Sequence, residues 1–134
     1  MNRHSTKLIA PMLAVADMKE TIGFYVDVLK FELFWESPDY SVIKSGDAEI
    51  HLMLASDEKV MEYVRGHSSI YVEVEGITSQ WSHVKNYKEN YKIKDLFDRD
   101  YGMREFHISD PNECLVFVGE QIKHAEQIDC NNER

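Results

Sequence analysis

A strand, a tight turn and a second strand lie within residues 101–118, and this feature constrains the fold more than any other. Side chains of residues 104–109 alternate between two faces, which is the period of a strand. Asp110 follows at once with a Pro-Asn pair, and these residues suit a type I turn in which the Asp110 carboxylate accepts backbone hydrogen bonds. Residues 114–118 then predict a buried returning strand, so we expect a β-hairpin near the end of the chain.

The first part of the chain predicts the order βαβββ. Asp17 can cap a helix, with Glu20 three residues later as in a capping box, and apolar residues follow at helical spacing. Pro11 lies within the first strand and argues for an edge position, because proline cannot donate to a ladder. The predicted elements are a strand at Leu8–Val15, a helix at Met18–Lys30, and strands at Phe31–Glu36, Ser41–Lys44 and Ala48–Leu54.

The second half of the chain repeats this pattern. A shift that moves Val15 onto Val74 also moves Met18 onto Ile77, so a strand, a turn and an amphipathic helix recur in register. The repeat predicts a single domain with module one at 7–55, a linker at 56–67 that is either irregular or one short helix, module two at 68–120, and a polar tail at 121–134 that is helical near 122–127. The second set of elements is Ser69–Val74, a helix at Thr78–Asn90, and strands at Ile93–Phe97, Met103–Ser109 and Cys114–Val118.

Composition narrows the class of protein. With 134 residues and 43% hydrophobic residues the chain can bury one core, and no segment has the pattern of a membrane span or a signal peptide, so we expect a cytoplasmic protein. Cys114 and Cys130 form neither a disulfide framework nor a metal-site spacing. The 24 acidic and 15 basic residues give a net charge of −9, which disfavours nucleic acid and membrane as partners. This charge either attracts cations or only keeps the protein soluble.

Residues 101–106, Tyr-Gly-Met-Arg-Glu-Phe, followed by Asp-Pro-Asn, resemble the last hairpin of the vicinal oxygen chelate superfamily, which contains glyoxalases, bleomycin-resistance proteins and extradiol dioxygenases. The resemblance covers Ile9 to Glu120. It implies an α+β fold in which paired βαβββ modules form a cup-shaped mixed sheet. It also implies glycine-like backbone at Lys30 and Glu113, where glycine is usual in the family; both positions are expected to need positive φ.

Metal-dependent members of the superfamily carry four metal ligands, and the aligned positions here are Ala10, His51, Ser69 and Phe117. Alanine and phenylalanine have no donor atom, and a serine hydroxyl is a poor ligand beside imidazole and carboxylate. The resemblance therefore implies that this chain uses no metal and no cofactor. It argues against a glyoxalase, dioxygenase or metal-dependent thiol-transferase reaction.

Within the superfamily the sequence is most similar to bleomycin-resistance proteins, which bind a drug without reacting with it. This resemblance implies an aromatic-lined groove for a flat, cationic compound, with Trp35 and Tyr101 as a stacking slot and Tyr101 in place of the more usual tryptophan. The alternative for each aromatic residue is ordinary core or interface packing. Acidic residues flank the aromatics and are expected to hold ammonium groups: Glu36, Asp39, Asp98 and Asp100. The predicted ligand-binding residues are Trp35, Tyr40, His51, Tyr71, Tyr101, His107 and Phe117.

Two functions remain open from the sequence. The first is a metal-independent binding protein that sequesters an aromatic, cationic small molecule at the interface of a homodimer, and Pro11 marks where the first strand could pass to the partner subunit, as the resemblance implies. The second is a lyase of the glyoxalase group in which His51 and His107 act as acid and base, assisted by Glu105 or by a metal bound in a non-standard way. Glu105 has an alternative structural role as the ion-pair partner of Arg104.

Overall fold

The structure, a computed structural model, describes residues 3–122 as two compact units, the first ending at Tyr63 and the second beginning at Val64. Each unit contains a four-stranded mixed sheet and follows the order strand, helix, and three strands. The predicted α+β fold built from two βαβββ modules is therefore confirmed. None of the helices within residues 3–122 has the length and apolar character that crossing a bilayer requires.

The first unit has the strand order β1-β4-β3-β2. β1 pairs with β4 in parallel, and β3 pairs with β4 and β2 antiparallel. A helix, α1, packs against β3 and β4, and its chain continues as one π-helical turn. The elements are β1 Met12–Val15, α1 Met18–Gly23 with the π-turn Phe24–Val28, β2 Glu32–Glu36, β3 Tyr40–Ser45 and β4 Ala48–Leu54, followed by α2 Glu58–Val64.

Local sequence signals set the ends of α1. The Asp17 side chain accepts a hydrogen bond from the Glu20 backbone N–H at 3.0 Å, as the capping pattern predicted. Tyr25 is fully buried, and its ring lies 5.8 Å from the ring of Phe31. Lys30 then has φ of 62°, which confirms that this position requires the left-handed conformation. The predicted helix therefore ends near Leu29, after its π-helical turn.

The second unit has the equivalent strand order β5-β8-β7-β6, with β5 parallel to β8 and the other pairs antiparallel. Its helix packs against β7 and β8, and Trp81 lies on Phe106 with ring centroids 5.4 Å apart. The elements are β5 Ser69–Glu73, α3 Ile77–Val84 with the 3₁₀ turn Lys85–Tyr87, β6 Ile93–Asp98, β7 Met103–Ser109 and β8 Leu115–Gln121.

The β7–β8 hairpin has the predicted turn. Asp110 Oδ1 accepts hydrogen bonds from the backbone N–H groups of Asn112 at 2.7 Å and Cys114 at 3.0 Å. Glu113 has φ of 60°, so the second expected left-handed position is also confirmed. β7 has the predicted bounds. Its side chains alternate between a face that packs against the helix and a face whose side chains form hydrogen bonds with one another.

Several predicted boundaries are wrong. The first strand begins at Met12 instead of Leu8, because Pro11 has no N–H and the ladder to β4 starts after it. The second helix ends its regular part at Val84, and β8 runs on to Gln121. The Glu120 carboxylate in this extension caps α3 by accepting from the backbone N–H groups of Gly76 and Ile77 at 2.8 and 3.1 Å. The linker contains α2, and the predicted helix near 122–127 and Cys130 lie outside the described residues.

Candidate ligand-binding faces

In each unit one face of the sheet packs on a helix, and we call the opposite face the helix-free face. On the second unit this face carries a hydrogen-bonded cluster centred on Glu105. The hydroxyl groups of Tyr71 and Tyr101 both donate to Glu105 Oε2, at 2.7 and 2.6 Å. His107 Nε2 lies 2.8 Å from Oε1. Three side chains therefore bind one carboxylate, which we call the Glu105 cluster.

Glu105 has no exposed surface, so its charge depends on these partners. Burial is the largest single effect on its pKa and raises it, but the hydrogen bonds from His107, Tyr101 and Tyr71 together outweigh burial and lower the pKa. Burial and the bond to Glu105 raise the pKa of Tyr71, and the bond to Glu105 raises the pKa of Tyr101. The cluster therefore keeps an ionised carboxylate that accepts hydrogen bonds from two protonated phenols.

Gly119 makes room for this arrangement. A Cβ atom at position 119 would lie 2.8 Å from Cζ of Tyr71 and still closer to its hydroxyl oxygen, and 3.2 Å from Cγ of Glu105. Those distances are shorter than normal packing allows, so any larger residue would displace Tyr71 from Glu105. Gly119 pairs with Glu105 across the β7–β8 ladder, which explains why the two residues meet.

Aromatic side chains continue the helix-free face around His107. The Phe117 ring centroid lies 4.1 Å from that of His107, and Phe97 contacts the same imidazole edge to face at 5.3 Å. Tyr71 is stacked near Phe117 with centroids 6.3 Å apart. The structure therefore brings together four of the predicted ligand-binding residues, and Phe97 joins them although no sequence pattern singled it out.

The turn between β6 and β7 places an arginine over two of these rings. The Arg99 guanidinium carbon lies 5.0 Å from the centroid of Tyr101 and 5.3 Å from that of Phe97, both within the range of a cation–π contact. The turn is closed by Gly102 N–H donating to Arg99 O at 3.2 Å, and Gly102 has φ of 85°. This turn therefore fixes the backbone positions of Arg99 and Tyr101.

The helix-free face of the first unit carries a second cluster, centred on His51. Tyr40 Oη lies 2.5 Å from His51 Nδ1, and His51 Nε2 lies 2.7 Å from Glu49 Oε2. With the proton on Nε2, Tyr40 donates to His51 and His51 donates to Glu49. Lys44 approaches the other oxygen of Glu49 at 3.5 Å. The hydrogen bond from His51 lowers the pKa of Glu49, although partial burial opposes it.

Trp35 lies on β2, the edge strand of the first sheet, where all five residues are exposed. Trp35 is 52% exposed, which excludes the core alternative but not the interface alternative within residues 3–122. Its ring lies 6.4 Å from that of Tyr40, which connects it to the His51 cluster. Tyr101, at 55% exposure, likewise presents ring surface to solvent.

The acidic residues predicted to hold ammonium groups differ in their availability. Asp98 forms a two-point ion pair with Arg104, with Nε–Oδ1 at 2.7 Å and Nη2–Oδ2 at 3.2 Å, and this bond lowers the pKa of Asp98. Its charge is therefore already compensated by the protein. Asp39 accepts a hydrogen bond from the Ser37 hydroxyl at 3.3 Å. Glu36 lines a groove of about 590 Å³ between the start of α1 and the β2–β3 turn, away from Trp35.

The four aligned metal-ligand positions do not form a donor set. Ala10 precedes β1, and the residue opposite His51 on that strand is Met12. Phe117 pairs with Tyr71 on β5, and Tyr71 is two residues from Ser69 on the same face of that strand. Within residues 3–122, no three histidine, cysteine, aspartate or glutamate side chains gather into a group that could hold a metal ion.

Sequence reasoning missed four residues of these faces: Glu49, Phe97, Arg99 and Gly119. Glu49-Ile50-His51 and Glu105-Phe106-His107 share the spacing Glu-x-His, which places both side chains on one face of a strand, and this shared spacing was the available signal for Glu49. Gly119 had no signal, because its role depends on a tyrosine that is distant in sequence.

Comparison with known proteins agrees with the described fold. The family model described as the Glyoxalase/Bleomycin resistance protein/Dioxygenase superfamily matches residues 7–117. A bleomycin resistance protein of Geobacillus stearothermophilus is 32% identical over 126 residues, which covers 84% of this chain and 96% of the relative.

Two solved structures resemble the described fold. One is the bleomycin-binding protein from bleomycin-producing Streptomyces verticillus complexed with copper(II)-bleomycin, with a TM-score of 0.66, 20% identity, and coverage of 85% of this chain and 97% of that one. The other is a glyoxalase-related enzyme from Clostridium phytofermentans, with a TM-score of 0.70, 18% identity, and coverage of 89% and 98%. At these identities the likeness concerns the fold alone.

Proposed function

Because the chain belongs to the Glyoxalase/Bleomycin resistance protein/Dioxygenase superfamily, we propose that it is a metal-independent binding protein of bleomycin-resistance type. In this proposal it sequesters a flat, aromatic, cationic compound and leaves the compound chemically unchanged. The ligand-binding residues are Trp35, Tyr40, His51, Tyr71, Tyr101, His107 and Phe117, as the sequence predicted.

The observation that carries the proposal is the state of the Glu105 carboxylate. A general base needs a free lone pair within reach of its substrate, whereas Glu105 is buried and accepts from Tyr71, Tyr101 and His107. The arrangement supports a fixed negative charge next to the hydroxyl groups of two exposed phenol rings. Such a charge attracts a cation, and the rings offer stacking surface to a planar one.

The net charge of −9 supports the same ligand class. A negatively charged protein accelerates the approach of a cation, and this effect weakens as salt screens it. Stacking of a planar group on an exposed aromatic ring contributes about 1–3 kcal/mol, judged from bases on aromatic side chains. Charge and stacking together favour a planar cation over a neutral or non-planar compound.

Tryptophan fluorescence provides the test. The chain has two tryptophans, and Trp81 lies on the helix side of the second sheet against Phe106, so quenching by metal-free bleomycin should come from Trp35. Trp35→Ala should abolish the quenching and weaken binding by about 1–3 kcal/mol, the range of a buried aromatic anchor. Trp81→Phe is the matched control and should retain affinity. Equal affinity for Trp35→Ala and the wild type would contradict a role for Trp35.

We further propose that the protein acts as a cytoplasmic homodimer, with the ligand at the subunit interface. Three consecutive apolar residues of the edge strand β2, Leu33 to Trp35, are between 42% and 65% exposed, and edges of this kind invite pairing with another chain. Sedimentation at micromolar concentration tests this assembly, and a monomer at all concentrations would contradict it.

The second candidate function is a lyase of the glyoxalase group that uses His51, His107 and Glu105. The chain of hydrogen bonds from Tyr40 through His51 to Glu49 favours it, because a histidine oriented by a carboxylate can move a proton. In this candidate the wild type turns over a hemithioacetal and His51→Ala abolishes that turnover, whereas the binding proposal predicts no turnover by either protein.

A further inference from the structure

We propose that Arg99 occupies, in the ligand-free protein, the stacking place that a planar cationic ligand takes, so that binding exchanges one planar cation for another. This inference rests on the proposed binding function and specifies its ligand class as planar, delocalised cations. Arg99 has the three required properties: a planar charged group, contact with the aromatic rings, and a weak hold on its position.

The first two properties follow from geometry. The Arg99 guanidinium lies over both Tyr101 and Phe97, with its central carbon 5.0 and 5.3 Å from the two ring centroids. A guanidinium is flat and spreads its charge over three nitrogens, so it stacks on aromatic rings in the same way as a heteroaromatic or amidinium cation. Lys94 Nζ also lies 4.4 Å from the Phe97 centroid, so Tyr101 is the ring for which Arg99 takes the place of a planar ligand most directly.

The third property emerges from comparison with Arg104. The Asp98 carboxylate binds Arg104 at two points, whereas within residues 3–122 the Arg99 guanidinium forms no ion pair with a carboxylate. An exposed cation–π contact is worth about 0.5–1 kcal/mol, much less than a two-point charged hydrogen bond. The turn fixes the Arg99 backbone through Gly102, but its long side chain can swing into solvent.

The Glu105 cluster explains why the place favours a cation. The Tyr101 hydroxyl donates to the buried Glu105, so an ionised carboxylate lies at the hydroxyl end of the phenol ring. A cation on this ring is attracted by both the ring face and the nearby carboxylate. Removing Arg99 should therefore expose a site that binds planar cations more tightly.

Isothermal titration calorimetry of the full chain tests the exchange with three probes: metal-free bleomycin, the planar cation benzamidinium and the non-planar cation cyclohexylammonium. Arg99→Ala should tighten binding of bleomycin and benzamidinium by roughly five- to thirtyfold, the equivalent of two released cation–π contacts. Cyclohexylammonium, which stacks poorly, should gain less than twofold. Arg99→Gln should give the same ranking and guards against a folding defect of the alanine variant.

Lys88→Ala is the matched control for charge. It removes one positive charge from the same unit, next to Trp81, without uncovering Tyr101. Lys88→Ala should change the affinity by less than twofold. The gain in affinity of Arg99→Ala should persist at 0.5 M salt, where the Debye length is about 4 Å. If the lysine variant gained as much affinity as Arg99→Ala, the exchange would be overturned, because the gain would then come from the net charge alone.

The two proposals fail in different ways. If the wild type binds bleomycin and Arg99→Ala binds it equally or more weakly, the exchange is overturned and the binding function stands. If the wild type does not bind bleomycin but Arg99→Ala binds benzamidinium, the exchange is supported and the bleomycin-type function fails. If neither protein binds any planar cation at millimolar concentration, both are overturned.

Discussion

The two units share topology and side-chain types but connect their polar groups differently. In the first unit His51 is the centre and joins Tyr40 to Glu49, and all three side chains retain some exposure. In the second unit the carboxylate of Glu105 is the centre and is completely buried. A central histidine can pass a proton along its chain of bonds, whereas a central carboxylate with three donors fixes a charge. The same residue types therefore form a histidine-centred chain of hydrogen bonds in one unit and a carboxylate-centred cluster in the other.

The largest difference should appear when each carboxylate is neutralised. Glu105→Gln removes a buried charge and turns an acceptor toward His107 into a donor, so it should lower the free energy of unfolding by about 1.5–3 kcal/mol. Glu49→Gln, on the more exposed cluster, should change it far less. Urea unfolding of both variants measures the contrast. Equal losses would mean that the two clusters are energetically alike.

Gly119→Ala should destabilise the second unit without changing any charge. The new methyl group would push Tyr71 from Glu105, and such overpacking costs about 1–3 kcal/mol. Gly23→Ala is the matched control, because a Cβ there meets nothing closer than 3.9 Å in a helical conformation. It should be neutral or stabilising. Adding Tyr71→Phe to Gly119→Ala removes the clashing hydroxyl, so the double variant should lose less than the sum of the single changes.

A smaller effect is expected at alkaline pH. The pKa values of Tyr71 and Tyr101 are raised in the folded state, so both phenols stay protonated above the ordinary tyrosine pKa of about 10, while the unfolded chain loses those protons. Their contribution to stability is therefore complete below pH 10 and is lost as the pH rises toward the folded values. Absorbance at 295 nm should show a late phase of tyrosine ionisation, and this phase should move to lower pH in Glu105→Gln. A single step near pH 10 would contradict the cluster.

Local sequence signals predicted much of the fold but only part of the site. The Asp17 cap, the Asp110 turn and the left-handed backbone of Lys30 and Glu113 all depend on a few neighbouring residues, so they could be predicted, and the structure confirms them. The Glu105 cluster depends on Tyr71, which is 34 residues away and meets it only in one strand register.

Arg99 illustrates the remaining limit of sequence reasoning. The sequence singled out Tyr101 as exposed stacking surface, and the residue is 55% exposed, but a side chain from the same turn lies over its ring. Which way a long, flexible side chain turns is decided by the rings that β6 and the turn bring beside it, and no periodicity encodes that choice. The prediction that Asp98 holds an ammonium group of the ligand had the same limit, because its ion-pair partner Arg104 lies across the β6–β7 ladder.

We propose that the protein binds a planar cationic compound and does not alter it. Equilibrium dialysis of metal-free bleomycin against the wild-type protein, followed by mass spectrometry of the recovered compound, tests both binding and the absence of a reaction in one measurement. We expect saturable retention at micromolar protein that weakens as salt is raised, with the compound recovered at its original mass. Release of a compound of altered mass, or no retention at low salt, would contradict it.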